Sequence, residues 1–260
     1  MNRRNFVAST AGTGLVSSVM PAAETKNAVI EMRWFRMRNM PASQVQRTQE
    51  FLGKEFVPAA QRAGAGTMGF FSIVIGEDSP AILAVISYPS FDGYGATIEK
   101  LGADKEFQAA FDAYNGSANL PYVRMESSLL RAFNSVPQIE TPPTEAGKAP
   151  RVFELRTYES NTMKSLRTKI AMFDGGEVDL FRKTGLLPVF FGETIVGPKM
   201  PNLTYMVAFD DLAAREKNWR TFATSPEWKK LSSMPVYADA DIVSNISNSI
   251  MRPLAFSQIK

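Results

Sequence analysis

The sequence contains no histidine and no cysteine in 260 residues. A Ser–His–Asp triad, a cysteine nucleophile, a Cys/His zinc site and a histidine-ligated haem therefore cannot be built from this chain alone. Any proton transfer has to use Asp, Glu, Lys, Tyr or water. We also find no cluster of metal ligands, no glycine-rich phosphate loop and no basic groove, and the formal net charge is only +3. These absences predict no metal, no cofactor and no nucleic-acid partner.

The first 23 residues have the features of an export signal. Arg3, Arg4 and Phe6 precede a mildly apolar run rich in Ala, Gly, Ser and Thr, which resembles a twin-arginine signal peptide. The run is too short and too diluted by small polar residues for a membrane anchor. We therefore predict a signal peptide over residues 1–23, a periplasmic or otherwise exported protein, and no stable membrane insertion after cleavage. A disordered basic N-terminus is the alternative.

Two similar stretches begin two similar halves of the chain. VIEMRWFR and VFELRTYES carry Glu and Arg at the same alternate positions, as Glu31 and Arg33 in one and Glu154 and Arg156 in the other. Glycines, prolines and aromatic residues keep nearly the same offset to the end of the chain, which indicates a tandem duplication. The predicted segments are a first repeat over residues 28–133, a proline-rich linker over 134–150 and a second repeat over 151–256.

Each half has the order strand, helix, strand, strand, helix, strand, with helix-capping side chains offered by residues 39–43 in the first half and residues 160–162 in the second. This is the split βαβ or ferredoxin-like order. Such a sheet has helices on one face only, so its other face must be covered. We therefore predict an α+β fold in which two tandem ferredoxin-like repeats pack sheet-to-sheet as an intramolecular dimeric α/β barrel. The chain would be a monomeric pseudo-dimer, or a homodimer joined through exposed edge strands.

Charged residues of the two first strands are the main candidates for chemistry. Side chains alternate along a strand, so Glu31 and Arg33 share one face, as do Glu154, Arg156 and Tyr158. The opposite face is the better match to the helices, so we expect the charged face to line the lumen between the sheets. There it would bind an anionic or carbonyl-bearing molecule, with a glutamate available as base. The alternative is a structural ladder of ion pairs.

Other polar and aromatic residues give weaker signals. Glu193 interrupts the apolar run FFGETIV, where a β-branched residue would suit a strand better, so it is a further candidate for the lumen. Tyr158 has Phe35 as its counterpart, so the hydroxyl group occurs in one half only. Trp219 and Phe222 have the spacing of a buried helix face, which favours a core role over a ligand cage.

The strand VFELRTYES, the capped helix after it and the later segment TFATSPEWKKL resemble the NIPSNAP family, strongly from Val152 to about Pro253. In the first half VIEMRWFR keeps the Glu and the Arg, but Trp34 and Phe35 replace the Thr-Tyr of the signature. The resemblance implies the dimeric α/β barrel and implies little about a reaction.

Three functions are compatible with the sequence. The first is an exported NIPSNAP-type protein that binds a small anionic or carbonyl-bearing molecule in the lumen. The second is a cofactor-free isomerase or monooxygenase with a glutamate base and an arginine that stabilises an enolate. The third is a structural or protein-interaction module. A glutamate facing an open pocket with a raised pKa would favour the enzyme, whereas Glu and Arg closed on each other would favour a binding or structural role.

Overall fold

The structure is a computed structural model that describes residues 27–38, 43–116, 120–143, 147 and 149–260. The predicted signal peptide lies outside these residues, so export stays a prediction. Within the described ranges, no helix combines the length and the apolarity needed to span a membrane.

Eight antiparallel strands close into one barrel. They are β1 (Val29–Arg36), β2 (Met68–Ile75), β3 (Ala81–Tyr88), β4 (Arg124–Ala132), β5 (Val152–Glu159), β6 (Leu187–Val196), β7 (Asn202–Phe209) and β8 (Asn245–Pro253). Their order around the barrel is β1-β3-β2-β8-β5-β7-β6-β4. Each half contributes four neighbouring strands, and hydrogen bonds between β2 and β8 and between β4 and β6 join the halves. The α+β barrel is confirmed, and the described strands leave no free sheet edge for a second chain.

Helices cover the outside of the barrel. They are α1 (Gln44–Phe51), α2 (Val57–Ala63), α3 (Phe91–Ala103), α4 (Lys105–Asn115), α5 (Met163–Met172), α6 (Val178–Lys183), α7 (Leu212–Thr224), α8 (Pro226–Ser232) and α9 (Asp239–Ile242). A π-helical turn joins α1 to α2 at Leu52–Phe56, and another joins α5 to α6 at Phe173–Glu177. The predicted caps are confirmed, because Ser43 and Thr162 each accept a backbone N–H at the start of their helix.

Apolar side chains occupy much of the barrel interior. Its main members are Ile30, Met32, Phe71, Leu83, Val85, Leu130, Phe153, Leu155, Val189, Phe190, Met206 and Met251. An eight-stranded barrel has an interior just wide enough for side chains to fill, which suits this composition. Two further clusters lie between the outer face of the sheet and the helices, one for each half of the chain.

The segment predicted as a linker packs against the barrel. Val136 is fully buried, the carbonyl of Pro137 accepts the backbone N–H of Ala28 at 2.9 Å, and the N–H of Glu140 donates to the carbonyl of Val189 at 2.8 Å. The connection therefore ties strands of both halves together where they meet.

Candidate functional site

The charged residues of the first strands lie outside the barrel, between the sheet and the helices. Glu31 and Arg33 border a cavity lined by helix residues, and Tyr158 belongs to the helix-side cluster of the second half. Phe153 and Leu155, which alternate with the charged residues of β5, lie in the barrel interior. The prediction that the charged face lines the lumen is therefore wrong.

The error has a physical cause, because both faces of β1 and β5 are buried. The alternation of side chains along a strand assigns each residue to one of two faces, but it does not show which face points into the barrel. The narrow interior offers few partners to a carboxylate, whereas the helix layer supplies Tyr, Arg and Trp side chains that can satisfy it. The residues that we expected in the lumen and that face the helices are Glu31, Arg33, Glu154, Arg156, Tyr158 and Glu193.

Glu193 is placed by its strand neighbours. It lies opposite Leu203 of β7 and Arg131 of β4. Leu203 belongs to the helix-side cluster, and directly opposed residues share a face of the sheet, so Glu193 faces the same side. It is half-buried and is not among the residues that line the cavity beside Glu31 in the first half.

In the second half, hydrogen-bond donors surround Glu154. The side chain is fully buried, and it accepts hydrogen bonds from Arg156 Nη1 at 3.0 Å, Arg215 Nε and Nη2 at 2.8 and 2.7 Å, Trp219 Nε1 at 2.7 Å and Asn248 Nδ2 at 3.0 Å. Burial alone would raise the pKa of Glu154, but the bonds from Arg215 and Asn248 outweigh it and lower the pKa. This carboxylate is therefore held ionised, and both of its oxygens already accept hydrogen bonds.

Other buried polar side chains occupy the same layer. The Tyr158 hydroxyl accepts a hydrogen bond from Tyr205 at 3.0 Å, and Arg156 lies with its guanidinium carbon 4.7 Å from the Trp219 ring centre. Burial alone would lower the pKa of Arg156, but Tyr205, Tyr158 and Glu154 outweigh it and raise the pKa. Arg156 and Tyr158 are thus parts of one polar network that includes the predicted core residue Trp219.

In the first half, Glu31 makes a smaller set of contacts. Oε1 accepts hydrogen bonds from Arg33 Nε at 2.9 Å and Ser127 Oγ at 2.7 Å, and Oε2 accepts one from the Tyr88 hydroxyl at 3.0 Å. Burial and the charge of Glu31 raise the pKa of Tyr88, which keeps it a donor. Burial alone would lower the pKa of Arg33, but Glu31 outweighs it and raises the pKa. The Glu and Arg are therefore closed on each other in this half too.

A cavity of about 270 Å³ opens beside the Glu31–Arg33 pair. Most of its lining residues are aromatic: Phe35, Phe51, Phe56, Tyr94, Phe107, Phe111, Tyr114 and Tyr122. The π-helical turn supplies Leu52 and Phe56, and such turns occur frequently at functional sites. We call this space the aromatic cavity.

At the offset between the two halves that the sequence pattern indicates, different residues stand beside the two glutamates. Arg215 and Trp219, which reach across the layer to Glu154, have Tyr94 and Ile98 at the equivalent positions of the first half. Tyr94 borders the aromatic cavity. Replacement of two donors by a phenol and an aliphatic side chain leaves the first carboxylate with fewer partners and with space beside it.

Sequence reasoning found Glu31 and Arg33 but missed the aromatic wall and the partners Tyr88 and Ser127. A signal was present, because Phe107, Phe111 and Tyr114 recur at helical spacing along α4. The spacing predicts a buried face but cannot show that the face borders a cavity. Within the part of the chain that the structure describes, no three acidic side chains come together to hold a metal ion.

The NIPSNAP family model matches residues 153–258. A search of curated proteins finds no significant match. Among solved structures, a candidate monooxygenase from Fusobacterium nucleatum aligns with a TM-score of 0.59 and 12% identity, covering 88% of this chain and 93% of its own. A candidate monooxygenase from Lactobacillus acidophilus gives a TM-score of 0.56 and 11% identity, covering 88% of this chain and 94% of its own. A NIPSNAP family protein of unknown function from Agrobacterium tumefaciens is 18% identical, with a TM-score of 0.38, and covers 43% of this chain and 95% of its own.

At these identities the two candidate monooxygenases show a shared fold and no more. The family match covers the strand, the capped helix and the aromatic segment on which the resemblance was based, and it ends within the last residues of the chain. Residues 153–258 of this chain are therefore a NIPSNAP domain.

Proposed function

We propose that this protein binds one small, planar aromatic molecule with a carbonyl group in the aromatic cavity of the first half. The observation that carries the proposal is an aromatic space of about 270 Å³ that ends at a paired Glu31 and Arg33. This volume is just below the usual range for ligand pockets, roughly 300–1,000 Å³, and suits a molecule of one or two rings. The proposal keeps the carbonyl-bearing ligand predicted from the sequence and moves its site from the lumen to the helix side.

The walls of the aromatic cavity favour a flat ligand. Phe51 and Tyr114 are stacked with ring centres 4.2 Å apart and planes within 2° of parallel, and Phe107 and Phe111 lie 6.0 Å apart beside them. A bound ring could form offset or edge contacts with such a wall, each worth about 0.5–1.5 kcal/mol beyond area burial. The Thr48 hydroxyl lies 2.8 Å from the Tyr114 hydroxyl and forms a hydrogen bond with it, which fixes one wall.

The polar end of the cavity favours a carbonyl over an anion. Arg33 uses Nε and Nη2 toward Glu31, and among the described residues no acceptor engages its Nη1. The remaining N–H groups can donate to a carbonyl oxygen. An anionic ligand would be repelled by the nearby Glu31 carboxylate, and it would gain little from Arg33, whose charge Glu31 already neutralises.

An enzyme in the same cavity is the second candidate, with Glu31 as base and Arg33 stabilising an enolate. The two solved structures named as candidate monooxygenases favour it through their fold. The contacts of Glu31 with Arg33, Tyr88 and Ser127 favour binding, because both oxygens of this carboxylate already accept hydrogen bonds. A purely structural role suits the Glu154 network of the second half, so we assign that network no ligand.

We infer further that the halves are tandem ferredoxin-like repeats, which together form the barrel within one chain. The equivalent strand orders β4-β1-β3-β2 and β8-β5-β7-β6 support this inference, as do the equivalent π-helical turns.

We also propose export by the twin-arginine route. Replacing Arg3 and Arg4 by lysine should retain the unprocessed protein in the cytoplasm, and processing of this double variant at the normal rate would contradict the proposal.

Three matched probes test the ligand class. They are 2-acetylnaphthalene, 2-naphthoate and 2-ethylnaphthalene, which share one ring system and differ at one substituent. Saturation-transfer NMR should show the tightest binding for the ketone, because only the ketone offers a neutral acceptor to Arg33. Preferential binding of the carboxylate would show that Arg33 acts as a free cation. Absence of binding by all three would contradict an aromatic site.

A further inference from the structure

A second cavity, of about 260 Å³, opens at one end of the barrel interior. We propose that this barrel-mouth cavity binds a small neutral polyhydroxylated molecule of the size of a monosaccharide or a cyclitol. It shares no lining residue with the aromatic cavity, which lies between the sheet and the helices. The two proposals are therefore independent of each other.

The cavity exists because three positions of the second half are threonines, whereas the equivalent positions of the first half are large apolar residues. The equivalent pairs are Thr157 for Trp34, Thr194 for Ile73 and Thr204 for Leu83. Trp34, Ile73 and Leu83 pack in the barrel interior. The threonines are smaller, so the second half leaves open a space that the first half fills, and it lines that space with hydroxyl groups.

The threonine wall is a buried and ordered polar network. Thr157 and Thr204 share a hydrogen bond of 2.8 Å between their hydroxyls, Thr194 donates to Asn202 Oδ1 at 2.7 Å, and Asn202 Nδ2 donates to the carbonyl of Pro198 at 3.0 Å. Thr194, Asn202 and Thr204 are each at most 3% exposed. Burying polar groups in a barrel is unfavourable unless they are satisfied, and apolar residues would pack at lower cost. The network is thus a preorganised polar surface that packing alone does not explain.

Three serines complete the polar lining. They are Ser128 of β4 and Ser247 and Ser249 of β8, and no described residue forms a hydrogen bond with their hydroxyls. Each hydroxyl has one donor and two acceptor positions, so it can pair with a ligand hydroxyl in either direction. Met32 and Leu155 form an apolar floor beneath them, and the Trp34 ring forms one side. Such a lining matches a ligand with hydroxyl edges and C–H faces.

The rim of the cavity carries both signs of charge in equal number. The basic residues are Arg36, Arg124 and Lys199, and the acidic residues are Glu77, Asp78 and Glu126. Arg36 pairs with Glu126 at 2.9 Å, and Arg124 pairs with Asp78 at 2.7 Å. Because the rim charges balance and are largely paired, the entrance favours neither anions nor cations. This balance assigns a neutral ligand.

Calorimetric titration of the intact protein tests the proposal with glucose and myo-inositol as neutral probes and glucose 6-phosphate as the charged comparison. We expect a neutral probe to bind, and the double substitution Thr157→Val with Ser247→Ala to weaken binding by about tenfold, since two hydrogen-bonding groups are lost. The control is Thr221→Val on α7, where the hydroxyl only bonds its own helix at the carbonyl of Lys217. It should leave binding unchanged.

Three results would overturn the proposal: no binding of either neutral probe at millimolar concentration, tighter binding of glucose 6-phosphate than of glucose, or equal binding by the double variant. If the double variant does not fold, Ser247→Ala alone serves, because that hydroxyl has no hydrogen bond with a described residue to lose. Closing the aromatic cavity with Met125→Trp should leave polyol binding intact, which separates this proposal from the proposed function.

Discussion

The two buried glutamates give a sharp test of how the halves differ, through the substitutions Glu154→Gln and Glu31→Gln. In Glu154, Oε1 accepts from Arg156, Arg215 Nη2 and Asn248, and Oε2 accepts from Arg215 Nε and Trp219. An amide NH₂ in either orientation therefore faces at least two N–H donors. No rotation of the side chain can restore these hydrogen bonds.

Glu31 offers the matched control. If the amide oxygen takes the place of Oε1, it keeps the bonds from Arg33 and Ser127. The NH₂ group then faces only the Tyr88 hydroxyl, which can rotate and accept, because a hydroxyl is both donor and acceptor. The same chemical change is therefore tolerated far better in the first half.

The magnitudes follow from the loss of a buried ion-pair partner, which costs about 3–5 kcal/mol when both groups are fully buried. The side chains of Arg156 and Arg215 keep 17% and 23% exposure, so water partly compensates them, and we expect Glu154→Gln to cost about 2–4 kcal/mol. In Glu31→Gln a single arginine, Arg33 at 18% exposure, loses its anionic partner while the hydrogen bonds can be kept, so we expect about 1–2 kcal/mol.

Urea unfolding at pH 7, followed by circular dichroism and tryptophan fluorescence, measures both values by linear extrapolation. The expected difference between the variants is about 1–2 kcal/mol at an unchanged slope. A Glu31→Gln variant that loses as much stability as Glu154→Gln, or more, would refute the reasoning.

Three other predictions concern stability. The pKa of Glu154 is lower in the folded state than in the unfolded state. The stability that Glu154 contributes is therefore complete above the unfolded pKa of about 4.3 and is lost as the pH falls through the folded pKa. The free energy of unfolding, measured as a function of acid pH, should show this loss in the wild type and not in Glu154→Gln. Gly176 has a φ of +141°, so Gly176→Ala should destabilise the protein by about 1–2 kcal/mol. Gly95→Ala, in α3 with open space at the Cβ position, should stabilise it by about 0.5–1 kcal/mol in the same urea unfolding assay.

Local features of the fold could be predicted from the sequence. The strand Ala81–Tyr88 has the bounds that its apolar run predicts, and Ser225 caps α8 with Pro226 in the first turn, as the Ser-Pro pair indicates. The repeat inferred from the sequence also predicted the barrel, because a one-sided sheet needs a cover and a second copy would supply it. These features depend on residues that are close in the sequence, or on the need of each sheet to have its second face covered.

The placement of the site could not be predicted, because it depends on contacts between distant residues. Arg215 lies far along the chain from Glu154, and only the folded helix layer brings them together. The orientation of β1 and β5 depends on which face finds hydrogen-bond partners. The aromatic cavity is the space beside Glu31 that Tyr94 and Ile98 do not fill. A periodic pattern of apolar residues does not encode the volume of such a space.

The most direct test of a single aromatic site uses Met125 and its counterpart Ile246. Met125 lies opposite Phe35 and borders the cavity, and Ile246 lies opposite Tyr158 in the second half with nearly equal exposure, 47% and 46%. Titration of 2-acetylnaphthalene followed by NMR should saturate at one molecule per chain in the wild type and in Ile246→Trp. Met125→Trp, whose indole would cover the cavity, should weaken binding by at least about tenfold. Undiminished binding by Met125→Trp, or an equal loss in Ile246→Trp, would contradict a single site in the first half.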